Sequence, residues 1–237
     1  FMGAKEVGAH CFEVLLRAVE VGDVEIVGVL TRSTGLDDGL SVKGLCDEND
    51  LPQLASLDEY LDLPDVDIAI SVQHDEILKR PHLDKPSELA ANLHMAPLPE
   101  YRGCNQFTFA ILDDADWFGT TIHVMEENID AGDILFERRF QIPDDCWVDE
   151  LYDRTVEESV DLFANVLSDL LKGNYTRTRQ EELVDERGTT YHYRDEIEDA
   201  KQIDLDWDAE RIQRHVRATA MPGFEQPYVE IDGQKVH

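Results

Sequence analysis

Residues 66–72 read VDIAISV and residues 90–95 read AANLHM, two apolar runs within one 30-residue stretch. The first follows a Pro64-Asp65 turn and the second a Lys85-Pro86-Ser87 break. Apolar, turn-bounded runs of this length read as strands buried on both faces. Working outward, residues 24–30 (VEIVGVL) read as a third buried strand, and a polar, Gly-containing loop is expected over residues 31–44. Residues 6–21 place Val7, Cys11, Leu15, Ala18 and Val19 at helical spacing, widened by Phe12 and Leu16. Residues 54–61 read as a short helix, and residues 105–112, with Phe107, Phe109, Ile111 and Leu112, as another. Residues 119–125 and 134–142 alternate as strands on an antiparallel edge do. The strongest helix is expected over residues 148–171, with Leu151, Val156, Val160, Phe163, Leu167 and Leu170 on one face and carboxylates on the other. Alternating strands and helices imply an α/β fold, Rossmann-like, with a mostly parallel sheet, flanking helices and an antiparallel edge. After Gly173 the periodicity fades. Residues 1–173 are therefore expected to form the main domain and residues 174–237 a small C-terminal appendage.

Composition narrows the setting. The 237 residues carry 52 acidic and 21 basic side chains, a net charge of −31, and the carboxylates are spread along the chain rather than gathered in a tail. Such a surface repels itself unless salt screens it; at molar salt the Debye length is about 3 Å. The composition reads as adaptation to a salt-rich, halophilic cytoplasm and makes unspecific polyanion binding unfavourable. No run approaches the roughly 20 apolar residues of a membrane span, and no signal-peptide pattern opens the chain, so a cytoplasmic protein without membrane attachment is expected. Cys11, Cys46, Cys104 and Cys146 form no CxxC pair, the pattern of reduced thiols.

Several patterns carry little. Gly3 and Gly8 have phosphate-loop spacing, but Ala9-His10 stands where Lys-Ser/Thr belongs. Asp204, Asp206 and Asp208 lack the Gly and distal Glu of a calcium loop, and no metal site is expected. The segment NLHMAPLPEYRG, residues 92–103, differs. Asn92 and His94 lie two apart at a strand end, so both point to one side, and ligands of open α/β sheets bind at the carboxyl ends of strands. Further on, IDAGDIL (residues 129–135) puts Asp130 on a Gly-containing turn between two strands.

NLHMAPLPEYRG followed by GTTIHVMEENIDAGDIL (residues 119–135) resembles the catalytic domain of the folate-dependent formyltransferase superfamily. The resemblance runs over roughly residues 1–171. It implies transfer of a formyl group from 10-formyltetrahydrofolate to an amine, with Asn92, His94 and Asp130 as the catalytic triad. Asn92 would donate to the developing oxyanion, an effect worth about 3 kcal/mol for a well-placed donor. His94 would either donate to the same oxyanion when protonated or, the favoured role, take the amine proton directly or through water, and Asp130 would orient the imidazole. The family places the pterin after the strand at residues 68–72, here Gln73, His74, Ile77 and Leu78.

The loop around Tyr101 and the ending around residues 212–225 look like nucleotide-sugar N-formyltransferases, which implies an amino-sugar nucleotide as acceptor and a homodimer. Arg102 and Arg217 are the expected diphosphate ligands, Phe224 or Tyr228 the base platform, and Met95, Gly103 and Asn105 further contacts. Methionyl-tRNA as acceptor is disfavoured, because residues 174–237 are acidic and short where tRNA demands cations; nucleic acid is not an expected partner. Water as acceptor, giving a formyltetrahydrofolate hydrolase, is a further alternative. A regulatory folate- or nucleotide-binding protein with a vestigial site is disfavoured by the presence of all three triad residues.

Overall fold

The computed structural model describes residues 1–22, 24–32 and 39–237. Most of the middle of the loop expected over residues 31–44, residues 33–38, lies outside the described residues. In chain order the elements are β1 (Met2–Gly3), α1 (Lys5–Glu20), β2 (Val29–Leu30), α2 (Val42–Glu48), β3 (Gln53–Leu54), α3 (Leu57–Asp62), β4 (Ile68–Val72), α4 (Arg80–Leu83), β5 (Leu89–His94), β6 (Tyr101–Gly103), α5 (Gln106–Leu112), β7 (Trp117–Val124), β8 (Ile134–Gln141) and α6 (Val148–Leu171). There follow a 3-10 turn (Gln180–Glu182), α7 (Val184–Arg187), β9 (Thr190–His192), α8 (Glu196–Ala200), α9 (Ala209–Thr219), β10 (Val229–Ile231) and β11 (Gln234–Val236).

Seven strands make the central sheet in the order β3-β2-β1-β4-β5-β7-β8. The pairs from β3 to β5 are parallel, whereas β5–β7 and β7–β8 are antiparallel. This is the expected α/β fold with its antiparallel edge. Alternation along β4 and β5 sends Ile70, Val72, Leu89, Ala91 and Leu93 to one face, where Val7, Cys11, Phe12 and Leu15 of α1 and Phe163, Leu167 and Leu170 of α6 meet them. Each such full burial stabilises the fold by about 1.5–3 kcal/mol. The same alternation turns Asn92 and His94 to the opposite face, away from that cluster.

Three expectations are corrected. The strand expected over residues 24–30 is realised only as Val29–Leu30, the two residues that β3 pairs. The helix expected over residues 54–61 begins later: Leu54 belongs to β3, and Ser56 caps α3 by accepting from the Glu59 amide, while the Glu59 carboxylate accepts from the Ala55 amide just before the cap. Within the loop expected over residues 31–44, Ser41 caps α2, which starts at Val42. The stretch after Gly173 threads back along the main domain. Thr178 bridges Ile134, β9 pairs in parallel with β6, and Ala218 of α9 packs into the cluster around Ala110 and Ile111 of α5.

Candidate active site

The site forms where β5 ends. Asn92 and His94 project from one face, and antiparallel pairing with β7 sets His123 directly opposite Asn92 and Thr121 opposite His94. The Asn92 side-chain amide lies 3.2 Å from His123 Nε2, and His123 Nδ1 lies 2.8 Å from the Val124 carbonyl oxygen. A carbonyl can only accept, so Nδ1 carries the proton and the neutral ring accepts from Asn92 through Nε2. By the same reasoning His94 donates from Nε2 to the Tyr101 carbonyl at 2.8 Å. Its Nδ1 then faces Asp130 Oδ2 at 3.6 Å.

Asp130 arrives on the connection between β7 and β8 in the left-handed backbone region, φ 54°. Its Oδ2 accepts from the Gly103 amide at 2.9 Å, and its Oδ1 stands 3.5 Å from His123 Nε2. Burial alone would push this carboxyl up. The neighbouring His94 ring, then His123, then the Gly103 N–H outweigh burial and hold the carboxyl far below the usual carboxylate range. The turn that carries Asp130 requires Gly132, since a Cβ there would fall inside the radius of the Val124 carbonyl oxygen.

A glutamine that the sequence reading did not single out holds this turn. Gln180, only 2% exposed, donates to the carbonyls of Asp130 (2.8 Å) and Gly132 (2.7 Å) and accepts from Arg102 Nε (3.0 Å) and Nη2 (2.7 Å). His123 was missed likewise. Its signal was present in the alternation of residues 119–125, which gives Thr121 and His123 one face; only the partner strand and its register were lacking.

The structure therefore brings Asn92, His94, Asp130, Gly103 and Arg102 together. Asn105 caps α5 in the left-handed region, and its side-chain amide donates to the carbonyls of Tyr193 (3.0 Å) and Arg194 (3.1 Å). Other expected contacts stand elsewhere. Met95 is 1% exposed, its side chain in the core cluster with residues of α1 and α6. Arg217 donates to the carbonyls of Asp144 and Cys146, closing the turn before α6. Phe224 lies in the turn after α9 and is 68% exposed, while Tyr228 is buried against Lys235 and His237. At the end of β4, Gln73 adopts φ 55° and accepts from Lys5, and Leu78 packs toward Tyr60 and Val66. Ile77 is 69% exposed, and His74 has a buried Nε2 without a hydrogen-bond partner. An orphaned ring nitrogen beside an exposed apolar side chain suits a flat heterocycle with polar edges. Among the described residues no group of three or more His, Cys, Asp or Glu is arranged to hold a metal ion, and no helix is long and apolar enough to cross a membrane.

Comparison with known proteins adds a family. The model of the formyl transferase family matches residues 46–167, just over half of the chain. A methionyl-tRNA formyltransferase of Listeria monocytogenes is 32% identical over 127 residues, 54% of this chain and 40% of that protein, so this chain matches less than half the length of that relative. The methionyl-tRNA formyltransferase of Geobacter sulfurreducens is 27% identical over 248 aligned positions, covering 99% of this chain and 74% of that one. An N-formyltransferase from Helicobacter canadensis, solved with folinic acid and dTDP-3-aminofucose, superposes with a TM-score of 0.81 at 21% identity, over 99% of this chain and 84% of that one. At that identity the likeness establishes the shared fold.

Proposed function

Because this chain belongs to the formyl transferase family, we propose that it moves a formyl group from 10-formyltetrahydrofolate to the amino group of a nucleotide-linked amino sugar. The observation that carries the reading is the buried approach of His94 Nδ1 to Asp130 Oδ2, with Asn92 on the same strand face. His94 Nε2–H is engaged by the Tyr101 carbonyl, so Nδ1 is the nitrogen with a lone pair to receive the amine proton. Asp130, held as a carboxylate, stabilises the imidazolium so formed. The Asn92 amide has two N–H bonds. One is directed at His123, which fixes the amide plane, and the other is left for the oxygen that becomes negative as nitrogen attacks the formyl carbon. His74, Gln73 and Ile77 are the proposed folate side, with the His74 Nε2 as the group that would meet a polar edge of the pterin.

Residues 1–173 are proposed as the catalytic part and residues 174–237 as the part that serves the acceptor and a homodimer. The composition supports work in a salt-rich cytoplasm. A second reading takes methionyl-tRNA as acceptor, and the named activity of the Listeria and Geobacter relatives favours it. The acidity of residues 174–237, including Asp185, Glu186, Asp195, Glu196, Glu198 and Asp199, favours the sugar nucleotide. Incubation with 10-formyltetrahydrofolate and a panel of dTDP-, UDP- and GDP-amino sugars, alongside charged initiator tRNA, decides between them. The sugar reading predicts a formyl mass gain on at least one nucleotide sugar; a gain on methionyl-tRNA alone overturns it.

A further inference from the structure

Two adjacent threonines of β7, Thr120 and Thr121, are fully buried. Neighbouring residues of a strand point to opposite faces. Thr120 turns toward α6, where its hydroxyl accepts from Ser159 at 2.8 Å and donates to the His94 carbonyl at 3.1 Å. Thr121 turns to the face of the site, opposite His94 in the register. Its hydroxyl donates to the Ala96 carbonyl at 2.8 Å and accepts from the Leu98 amide at 3.2 Å. A hydroxyl offers one donor and two acceptor positions, so this single group serves both ends of the turn that follows β5.

That turn depends on such a partner. Its residues Met95, Ala96 and Leu98 are buried, and a buried backbone group left unpaired costs about 1–3 kcal/mol. Pro97 and Pro99 bring no N–H of their own. Beyond the turn, the Tyr101 amide donates to the Pro97 carbonyl at 3.1 Å, and the Tyr101 carbonyl in turn accepts from His94 Nε2 at 2.8 Å. The Thr121 hydroxyl is therefore joined to the imidazole through the backbone of residues 96–101. Two neighbours compete for the proton of that ring. The Asp130 carboxylate draws it toward Nδ1 but stands 3.6 Å away, outside hydrogen-bond distance. The Tyr101 carbonyl, at 2.8 Å, keeps it on Nε2. The hydrogen bond made by one ring nitrogen decides which of the two carries the proton. With the proton on Nε2, the lone pair lies on Nδ1, the nitrogen that faces Asp130.

We infer that Thr121 is a positioning residue: by tying Ala96 to Leu98, its hydroxyl fixes the Tyr101 carbonyl and so holds His94 in the Nε2–H tautomer, the form able to act as a base through Nδ1. The chemical consequence rests on the formyl-transfer reading above, whereas the tautomer is measured without any substrate. When the Thr121 hydroxyl is removed, the turn loses the partners of Ala96 and Leu98 and the Tyr101 carbonyl loses its place. Asp130 then wins the competition, the proton moves to Nδ1, and the nitrogen that would receive the amine proton is already occupied.

Nitrogen NMR of the full chain labelled with 15N-histidine, at a pH where the ring is neutral and with the His94 signals assigned by their loss in His94→Gln, tests this. Wild type shows the proton on Nε2. Thr121→Val, close in shape but without the hydroxyl, moves it toward Nδ1 and lowers kcat about tenfold or more with little change in either KM; Thr121→Ser restores both. Thr155→Val is the control, because the equally buried Thr155 hydroxyl donates to the Leu151 carbonyl within α6; its tautomer and kcat stay at wild type. A wild-type proton on Nδ1 overturns the inference. So does a Thr121→Val chain with the wild-type tautomer, whether or not kcat falls, or the same change in Thr155→Val. If Thr121→Val does not fold, Thr121→Cys, whose thiol is a weak donor, takes its place, and a wild-type tautomer there overturns the inference equally. The two proposals fail separately. A shifted tautomer in Thr121→Val, with no formylated product from wild type, defeats the activity and leaves the placement of the proton. Formylation at the wild-type rate by Thr121→Val defeats the inference and leaves the activity.

Discussion

Gln180 shows how much of the site depends on residues that do no chemistry. Its amide makes four hydrogen bonds, two to the turn that aims Asp130 and two to Arg102. Gln180→Glu retains the acceptor oxygens for Arg102 and removes both donors to the turn, so kcat is expected to fall about tenfold or more while acceptor KM moves little. Steady-state kinetics with both substrates varied checks the split. Asp130 supplies a pH prediction. Its native pKa lies below the ordinary 3.8, so its contribution to stability is complete above that value and is lost as pH falls through it toward the native pKa. Asp130→Asn is expected to flatten the loss of stability below about pH 4, read by urea midpoints across pH 2.5–6 (approximate range). At this scale strand parity placed Asn92 and His94 on one side, whereas Asp130 was joined to them only by the family resemblance carried by NLHMAPLPEYRG and GTTIHVMEENIDAGDIL. His123 and Gln180 were not legible, because each depends on which strand or segment lies alongside. Arg217 has a type that suits a phosphate, and the structure shows its Nη1 donating to the carbonyls of Asp144 and Cys146, contacts that depend on which segment lies alongside.

At the scale of elements, periodicity served long segments well. The strongest helical stripe became α6 over the expected residues, and α1 began one residue early. Short elements were set by partners and caps instead. β2 covers only Val29 and Leu30, the residues that β3 pairs, and Ser41 and Ser56 moved helix starts to where their hydroxyls accept an amide. The turn between β7 and β8 is the element on which the site depends most. Gly132→Ala forces a methyl group against the Val124 carbonyl, which is backbone and cannot rotate away. A loss of about 3 kcal/mol is expected, together with activity, as measured by the denaturation midpoint and turnover of the same sample; unchanged values of both contradict the geometry.

Over the whole molecule, charge and connectivity matter most. The net charge of −31 was plain in composition, and self-repulsion predicts that the melting temperature rises between low and molar KCl. A flat or falling melting temperature contradicts the salt-adapted reading. The sequence also suggested a boundary at Gly173, yet β9 pairs with β6 and Gln180 reaches under Asp130, so the residues after Gly173 help to build the site. Such contacts span 50 to 90 residues and leave no periodic trace. The central claim is that one pocket carries a one-carbon unit to nitrogen. Donor labelled with 13C at the formyl carbon and a dTDP-amino sugar labelled with 15N test it in a single NMR spectrum. A formyl resonance split by coupling to 15N is expected with wild type and absent with His94→Ala. Label recovered as free formate, or an equal split signal from His94→Ala, contradicts the account.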